Sequence, residues 1–229
     1  MLSPQELFDL SRFAHRAIFE GLEDVWQALD RLPGYLGSCA GWDILGEVAP
    51  GAVLDGPVFV GPGSRVEPYA VIKGPAVIGA NCEIRHGAYL RGGVLLGDEC
   101  VVGHCSEVKS SIMLDGAKAP HFNYVGDSIL GNHVNLGAGT ICANLRLDGR
   151  EVKVRLGRGD GQGARTGRRK LGAIIGDGAR IGCNVVLNPG VVIPGESRIV
   201  AAPMAAAGQE LLPSAPLKAD RYSSGAPRR

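Results

Sequence analysis

Residues 48–114 read, in blocks of six, VAPGAV LDGPVF VGPGSR VEPYAV IKGPAV IGANCE IRHGAY LRGGVL LGDECV VGHCSE VKSSIM L. Every block opens on an aliphatic residue, from Val48 to Leu114, and the position four residues later is mostly small or β-branched. A helix has a period near 3.6 and an isolated strand a period of 2, so a sustained period of six fits neither alone. It fits a short strand followed by a corner, and it predicts a parallel β-helix.

The repeat also indicates what would hold such a fold together. Inward aliphatic side chains stack in columns, and each buried one stabilises the fold by about 1.5–3 kcal/mol. The repeat resembles that of the left-handed hexapeptide family, in which three flat faces make one coil of about eighteen residues. We therefore expect an all-β, left-handed parallel β-helix with a short N-terminal helical segment, its coils about 4.8 Å apart.

The first 41 residues lie outside the repeat and predict an N-terminal helical cap. Ser3-Pro4-Gln5-Glu6 has the composition of a helix start, with a capping serine, a proline and a glutamate in the first turn. Apolar residues then recur at helical spacing as far as Pro33-Gly34, where we expect the helix to stop. We expect residues 1–41 to cover the open end of the first coil.

Residues 42–203 form the predicted β-helix, and its repeat is interrupted twice. After Leu114 the next inward position is Pro120, and the pattern resumes at Leu130. A second interruption follows Ile141 and ends at Ile175, which predicts a loop at about 142–173 that is rich in basic residues. Residues 204–229, rich in Ala, Pro, Ser and Gly, predict a loosely ordered tail.

The composition excludes several functional classes. The net charge is only +1, so we expect no nucleic-acid partner, and no stretch approaches the roughly 20 apolar residues of a membrane span. The N-terminus lacks the basic-then-apolar form of a signal peptide. The six cysteines form no C-x-x-C pair, so we expect them to be reduced and the protein to be cytoplasmic.

Three cationic or titratable residues each follow an inward position by one residue: Arg85, Lys109 and His121. Arg85 and His121 are two coils apart on one corner of the predicted solenoid, and Lys109 stacks on Arg91 at the neighbouring corner. Cations around an imidazole suit a phosphorylated ligand beside a base that titrates near neutrality. The alternative is a set of ordinary solvated surface charges.

His86 and His104 stack on one corner in the same prediction, which raises the question of a zinc site. The γ-class carbonic anhydrases share the hexapeptide repeat, but they use three histidines, two of them about five residues apart. No such pair occurs here, because His121 and His133 are twelve residues apart. We therefore expect no metal.

From about Ile84 to Val200 the chain resembles the acetyltransferase domain of the bacterial bifunctional N-acetylglucosamine-1-phosphate uridyltransferases. It resembles the archaeal bifunctional sugar-1-phosphate nucleotidyltransferase/acetyltransferases more closely still. The resemblance rests on these stretches of this sequence: IRHGA (84–88), EVK (107–109), HFNYVGD (121–127), VNLGAGT (134–140), ANLR (143–146), EVKV (151–154) and TGRRKLGAIIG (166–176).

The resemblance implies a role for each matching residue. His121 matches the general base that deprotonates the sugar amine. The positions implied to bind the sugar phosphate are Arg85, Lys109, Tyr124, Asn135, Arg150 and Lys153. Ala138, whose backbone N–H would meet the thioester carbonyl, Asn144 and Cys183 match positions that bind the coenzyme. Leu145 stands where the bacterial domain has an aromatic residue, and Cys183 where it has a serine.

The resemblance predicts an acetyl-CoA-dependent N-acetyltransferase that acts on an amino-sugar phosphate of the glucosamine-1-phosphate or galactosamine-1-phosphate type, as a homotrimer. No glycine-rich nucleotidyltransferase signature opens the chain, so we do not expect it to make a nucleotide sugar itself. Two alternatives stay open. The chain could be a non-catalytic scaffold for a separate sugar nucleotidyltransferase, or it could be an O-acyltransferase that acts on a nucleotide sugar.

Overall fold

The computed structural model describes residues 1–39, 41–154 and 163–201. The chain winds through three parallel sheets, and each successive strand of the solenoid lies in the next sheet. The first sheet consists of β1 (Glu47–Val48), β4 (Arg65–Val66), β7 (Glu83–Ile84), β10 (Val101–His104), β13 (Lys118–His121), β16 (Asn135–Leu136), β21 (Arg180–Ile181) and β24 (Arg198–Ile199). The second consists of β2 (Val53–Asp55), β5 (Val71–Lys73), β8 (Tyr89–Arg91), β11 (Glu107–Lys109), β14 (Tyr124–Gly126), β17 (Ile141–Cys142) and β22 (Val186–Leu187). The third consists of β3 (Val58–Val60), β6 (Ala76–Ile78), β9 (Val94–Leu96), β12 (Ser111–Met113), β15 (Ile129–Leu130), β20 (Ile174–Ile175) and β23 (Val192–Ile193).

This architecture confirms the predicted fold. It is an all-β parallel solenoid of about eight turns, consistent with a left-handed β-helix. Val48 pairs with Val66, and Val66 pairs with Ile84, eighteen positions further on, so the three-blocks-per-coil reading is right for the first coils. The inward aliphatic residues form one continuous buried core along the axis of the solenoid.

The register departs from the prediction after Val108. In the earlier coils, paired residues are eighteen positions apart, whereas Ile112 pairs with Leu95 and Ile129 pairs with Ile112, each seventeen positions apart. Two successive corners between the second and third sheets are therefore one residue shorter than the corners before them. Met113 therefore takes the inward position expected for Leu114. Likewise Ala119 is inward, and Pro120 is only partly buried.

The second interruption of the repeat occupies the same corner one coil later. The last inward residue of the repeat before this interruption is Cys142 and not Ile141, which faces outward beside Tyr124. The insertion that follows holds the short antiparallel pair β18 (Lys153–Val154) and β19 (Ala164–Arg165). Part of the basic loop and the predicted tail at 204–229 lie outside the described residues.

The N-terminal segment packs along the side of the solenoid and does not close the open end of its first coil. It contains three short 3-10 helices (Pro4–Glu6, Arg16–Phe19, Val25–Gln27) and α1 (Ala28–Ser38). Helix α1 continues through Pro33, contrary to the predicted stop, because its apolar face (Ala28, Leu29, Leu32, Leu36) is buried. The N-terminal segment as a whole shares one buried apolar cluster with the outward face of the third sheet, including Leu95 and Ile112. Val48 and Leu54 of the first coil are left only partly buried.

Within residues 1–39, 41–154 and 163–201, no helix has the length and apolar character needed to cross a membrane. Helix α1 has eleven residues, which corresponds to about 16 Å, whereas a bilayer core is about 30 Å thick.

Candidate active site

His121 lies in a column of residues at the corner between the first and second sheets. The even period predicts His121 in the column of Arg85. The shortened corner shifts His121 by one residue, so that it pairs with His104 instead. The His104 ring stacks on His86, with centroids 5.5 Å apart. The column continues through Ala138 and Cys183, since the N–H of Gly139 donates to the His121 carbonyl at 3.0 Å and that of Asn184 donates to Ala138 at 2.8 Å. We call this column (His86, His104, His121, Ala138, Cys183) the histidine edge.

The buried side chain of Asn123 fixes the backbone at His121. Its Oδ1 accepts the His121 N–H at 3.0 Å, and its Nδ2 donates to the Gly137 carbonyl at 2.7 Å. Phe122, which lies between His121 and Asn123 in the sequence, has a φ of +52° and is 57% exposed. A bulky residue in the left-handed region is uncommon and marks a position that its surroundings hold in place. The imidazole of His121 is exposed and has no hydrogen-bond partner within the described part of the chain.

Ala138 occupies the turn between Gly137 and Gly139, one coil above His121. Its carbonyl accepts a hydrogen bond from the next coil, while no acceptor among the described residues takes its N–H. A free backbone N–H beside an exposed imidazole can stabilise a developing oxyanion while the imidazole takes a proton. Cys183 follows in the column and is exposed. The histidine edge thus brings together three of the residues predicted for catalysis and coenzyme binding.

The predicted cluster of cations around His121 does not form in a single chain. Arg85 is paired with Glu83 at 2.5 Å, and Arg91 is paired with Glu107 at 2.7 Å. Lys109 lies at the other edge of the second sheet, at the corner that leads to the third sheet. Lys109 is paired there with Asp127, so the cluster expected from spacing alone is divided among three ion pairs.

Lys109 belongs to a second group of predicted residues, which is centred on Asp127. Lys109 Nζ lies 2.8 Å from Asp127 Oδ2, and the Asn144 amide donates to the same oxygen at 2.5 Å. The amide of Asn144 also donates to the hydroxyl of Tyr124 at 3.2 Å. We call this group (Lys109, Tyr124, Asp127, Asn144) the insertion edge, because the chain enters the insertion directly after it.

A cationic cavity of about 800 Å³ opens beside the insertion edge. Its charged lining residues are Arg146, Arg150, Glu151, Lys153 and Arg165, and the turn from Asn188 to Gly190 closes one side. Asp148 pairs with Arg146, and Glu151 pairs with Arg165. The side-chain hydrogen bonds of Arg146 and Arg165 lower the pKa of these carboxyls, so both remain ionised. Among the described residues, Arg150 and Lys153 have no ionic partner, and they are two of the four cations predicted to bind the substrate.

The predicted site residues therefore divide between the two edges of the second sheet. His121 and Asp127 are six positions apart in the sequence, which is a span of at most about 20 Å. Arg85 lies beside the histidine edge, and Asn135 leads into it from the first sheet, between Lys118 and Arg180. The cavity of Arg150 and Lys153 adjoins the insertion edge.

Several residues that shape the site were missed by the sequence analysis. Asn123 could have been found, since it places a polar side chain at an inward position that is otherwise small. Asp127 and Arg168 had no such signal, because their roles depend on the shortened corner and on the path of the insertion. Within the described ranges, no group of three or more histidine, cysteine or acidic side chains is arranged to hold a metal ion. The stacked imidazoles of His86 and His104 lie side by side and do not converge on a point.

The family described as "Bacterial transferase hexapeptide (six repeats)" matches residues 57–92 and 75–110 of this chain, so the solenoid contains a hexapeptide repeat over that stretch. These residues include the strands from β3 to β11 of the solenoid.

The chain is similar to bifunctional sugar nucleotidyltransferase/acetyltransferases over part of its length. It is 51% identical over 89 residues to the bifunctional sugar-1-phosphate nucleotidylyltransferase/acetyltransferase of Sulfurisphaera tokodaii, covering 39% of this chain and 21% of that protein. It is 47% identical over 89 residues to the bifunctional protein GlmU of Methanococcus maripaludis, with the same coverages. The chain thus spans about a fifth of the length of the curated relatives it matches.

Solved structures give a weaker match. A mutant of perosamine N-acetyltransferase from Caulobacter crescentus, in complex with CoA and GDP-perosamine, is 19% identical at a TM-score of 0.34, covering 71% of this chain and 56% of that chain. The UDP-N-acetylglucosamine acyltransferase of Francisella novicida is 15% identical at a TM-score of 0.41, covering 69% of this chain and 64% of that chain.

Proposed function

We propose that this chain is an acetyl-CoA-dependent N-acetyltransferase that acts on an amino-sugar phosphate. The observation that carries the proposal is the histidine edge, where an exposed imidazole (His121), a backbone N–H with no acceptor among the described residues (Ala138) and the predicted coenzyme residue Cys183 follow one another on successive coils. Its curated relatives, which include a nucleotidylyltransferase/acetyltransferase, support this class of reaction.

In the proposed reaction the sugar amine attacks the thioester carbonyl of acetyl-CoA. The nitrogen gains positive charge and the carbonyl oxygen gains negative charge. The imidazole of His121 accepts the amine proton, and the N–H of Ala138 donates to the oxyanion. The thiolate of coenzyme A then leaves and takes the proton that His121 accepted from the amine, which restores the base. Much of the acceleration would come from holding two substrates in one geometry, so the chain need not become acylated.

The three faces of the solenoid support a role for a second copy of the chain. The N-terminal segment covers the third sheet, and the first sheet presents charged side chains such as Arg65, Lys118 and Arg180. The second sheet presents a partly exposed apolar row, in which Val53 and Val186 are about half exposed. This row also includes Val71, Tyr89, Tyr124 and Ile141, and it is interrupted by Glu107, which lies between Tyr89 and Tyr124 and is paired with Arg91.

The two groups of predicted site residues lie at the two edges of the second sheet. If neighbouring solenoids pack through it as a homotrimer, the histidine edge of one copy can meet the insertion edge of the next. We propose that the complete site forms between copies in this way. Light scattering coupled to size-exclusion chromatography measures the oligomeric state, and a monomer that is fully active at assay concentration would contradict this arrangement.

The test of the activity is release of free coenzyme A from acetyl-CoA with a panel of acceptors. The panel contains glucosamine-1-phosphate, galactosamine-1-phosphate, glucosamine-6-phosphate and a UDP-linked amino sugar. We expect turnover on a sugar 1-phosphate. We expect His121→Ala to reduce turnover at least about 100-fold, and His133→Ala, which removes an exposed imidazole on another corner, to leave turnover unchanged.

The outcomes separate the three functional classes. Turnover on the UDP-linked sugar alone would replace the acceptor that we propose, and formation of an ester in place of an amide would indicate the O-acyltransferase. Absence of turnover and of acetyl-CoA binding by calorimetry would indicate the non-catalytic scaffold. A His121→Ala variant with normal turnover would remove this residue from the mechanism.

A further inference from the structure

Four charged side chains connect the N-terminal helix α1 to the insertion edge. Lys109 Nζ lies 2.8 Å from Oδ2 of Asp127, and Arg168 Nη2 lies 4.0 Å from its other oxygen, Oδ1. The second nitrogen of the same guanidinium, Nη1, is paired with Asp30 of helix α1. The chain of contacts therefore runs from Lys109 through Asp127 and Arg168 to Asp30, with two positive and two negative charges.

Three of these side chains are largely removed from water. Asp127 is 8% exposed, Lys109 17% and Arg168 18%, whereas Asp30 is 55% exposed. Charge interactions are stronger where water is excluded, so the division of Asp127 between its two cations matters energetically. Asp127 is also held in place by its backbone, because its N–H donates to the Lys109 carbonyl and its carbonyl accepts from Gly172.

Arg168 is close enough to Asp127 to compete with Lys109 but is held at a distance from it. A separation of 4.0 Å exceeds a hydrogen bond, while the contact with Asp30 is direct. The Arg168 Nε also donates to the Lys170 carbonyl at 3.1 Å, so the guanidinium keeps its place in the insertion. If Asp30 lost its charge, Arg168 would retain only one carboxylate to pair with, and that carboxylate is Asp127.

We propose that Asp30 controls how firmly Asp127 holds Lys109, acting through Arg168. Asp30 draws the guanidinium away from Asp127 and leaves the carboxylate to the ammonium of Lys109. The N-terminal helix thereby sets the availability of a lysine at the insertion edge. The effect of Lys109 availability on catalysis rests on the proposed function, in which Lys109 binds the phosphate of the acceptor. Asp30, Asp127 and Arg168 are positioning residues in this scheme.

The scheme predicts opposite effects for two substitutions. In Asp30→Asn, Arg168 moves onto Asp127 and releases Lys109. In Arg168→Met, Asp127 has no second cation and holds Lys109 more firmly. General loosening of the structure would release Lys109 in both variants, so the opposite signs distinguish positioning from a purely structural role.

The first measurement is the rate at which the Lys109 amine reacts with the N-hydroxysuccinimide ester of acetic acid, followed by mass spectrometry in the free protein. Exposed Lys118 on the first sheet serves as the internal reference. We expect the Lys109 rate to rise at least twofold in Asp30→Asn and to fall at least twofold in Arg168→Met. Glu47→Gln, which removes the carboxylate of an exposed ion pair with Arg65 in the first coil, should change neither rate. Arg168→Gln replaces Arg168→Met if circular dichroism shows that the methionine variant is unfolded.

The second measurement is the KM for the phosphorylated acceptor in the same variants. We expect it to fall at least twofold in Asp30→Asn and to rise at least twofold in Arg168→Met, with kcat within twofold of the parent. Labelling rates that move in the same direction, or not at all, overturn the inference even if the enzyme is active. If the Lys109 labelling rate rises in one variant and falls in the other but the chain shows no turnover, the result would support the charge network and contradict only the proposed function. Opposite labelling with an unchanged KM would overturn the link between Lys109 and the acceptor.

Discussion

Lys109 and Asp127 face each other at 2.8 Å across two successive corners that are each one residue shorter than those of the preceding coils. The earlier corners contain glycines at positive φ, such as Gly56 and Gly92, whereas the shortened ones place Ser110 at +45° and Asp127 at +47°. Aspartate tolerates the left-handed region better than most residues. The shortening therefore brings a carboxylate into the corner just before the insertion, where it gathers the lysine and asparagine of the candidate site.

Removing the Lys109 ammonium should weaken binding of the phosphorylated acceptor. Lys109→Met keeps most of the apolar stem and loses the charge, so we expect the KM for the sugar phosphate to rise about tenfold, equivalent to about 1.4 kcal/mol of binding free energy. Steady-state kinetics with each substrate varied in turn measures this, and Lys118→Met on the first sheet is the control. A change confined to the KM for acetyl-CoA would mean that Lys109 serves the other substrate.

The N-terminal segment should contribute to global stability through the third sheet. Leu95 faces outward from β9 and is fully buried beneath this segment. Leu95→Ala should lower the free energy of unfolding by about 2–5 kcal/mol, because it leaves a cavity between the sheet and the segment. Urea denaturation measures the loss, with the half-exposed Leu45→Ala as control, for which we expect a change within about 0.5 kcal/mol. Equal stabilities would show that the segment does not pack on this sheet in solution.

Thiol reactivity should separate the cysteines by their position in the solenoid. Cys105 and Cys183 are exposed, whereas Cys82, Cys100 and Cys142 are buried. Burial raises the pKa of the Cys142 thiol to about 12 and also raises that of Cys100, so neither forms the reactive thiolate near neutral pH. We expect Cys105 and Cys183 to react with Ellman's reagent in the native protein and the three buried thiols only after denaturation.

Acetyl-CoA should alter this pattern at one of the two exposed thiols. In the proposed function Cys183 lies at the coenzyme site, so saturating acetyl-CoA should slow its labelling. Cys105 lies two coils below Gly139 and should react at the same rate with and without the coenzyme. Protection of both thiols, or of Cys105 alone, would place the coenzyme elsewhere.

His15 should make the protein less stable in mild acid. Burial lowers its pKa below the ordinary value near 6.5, an effect that the charge of Asp98 partly opposes. The unfolded chain then binds the proton more readily than the folded one, so the contribution of His15 is complete above about pH 6.5 and is lost as the pH falls toward the folded-state pKa. Urea unfolding between pH 5 and 8 measures this, and His15→Gln should flatten that part of the profile. His15 Nδ1 lies 3.0 Å from the hydroxyl of Tyr35, so Tyr35→Phe, which leaves the imidazole in place, tests whether this contact contributes. An unchanged slope in His15→Gln would contradict the assignment to His15.

The repeat was readable from the sequence because every coil presents the same local environment. An inward aliphatic residue at every sixth position needs no knowledge of distant contacts, and the segments around His121 and Ala138 could be identified as motifs. The N-terminal segment was harder, since Pro33 is a valid stop signal in an isolated helix. Burial of Leu32 and Leu36 against other parts of the protein overrides that local signal.

The sequence by itself determined the solenoid, its three-sheet coil and the chemical types of residue available to a site. The tertiary structure decided which of those residues meet. A corner that is one residue shorter is nearly invisible in a six-residue period, yet it shifts every later side chain. It brings His121 into register with His104 and places Met113 inward in place of Leu114. The pairing of Lys109 with Asp127, and of Arg168 with Asp30, depends on how coils stack and where the insertion and helix α1 lie on them. Such contacts between distant residues arise from packing, which the local period does not encode.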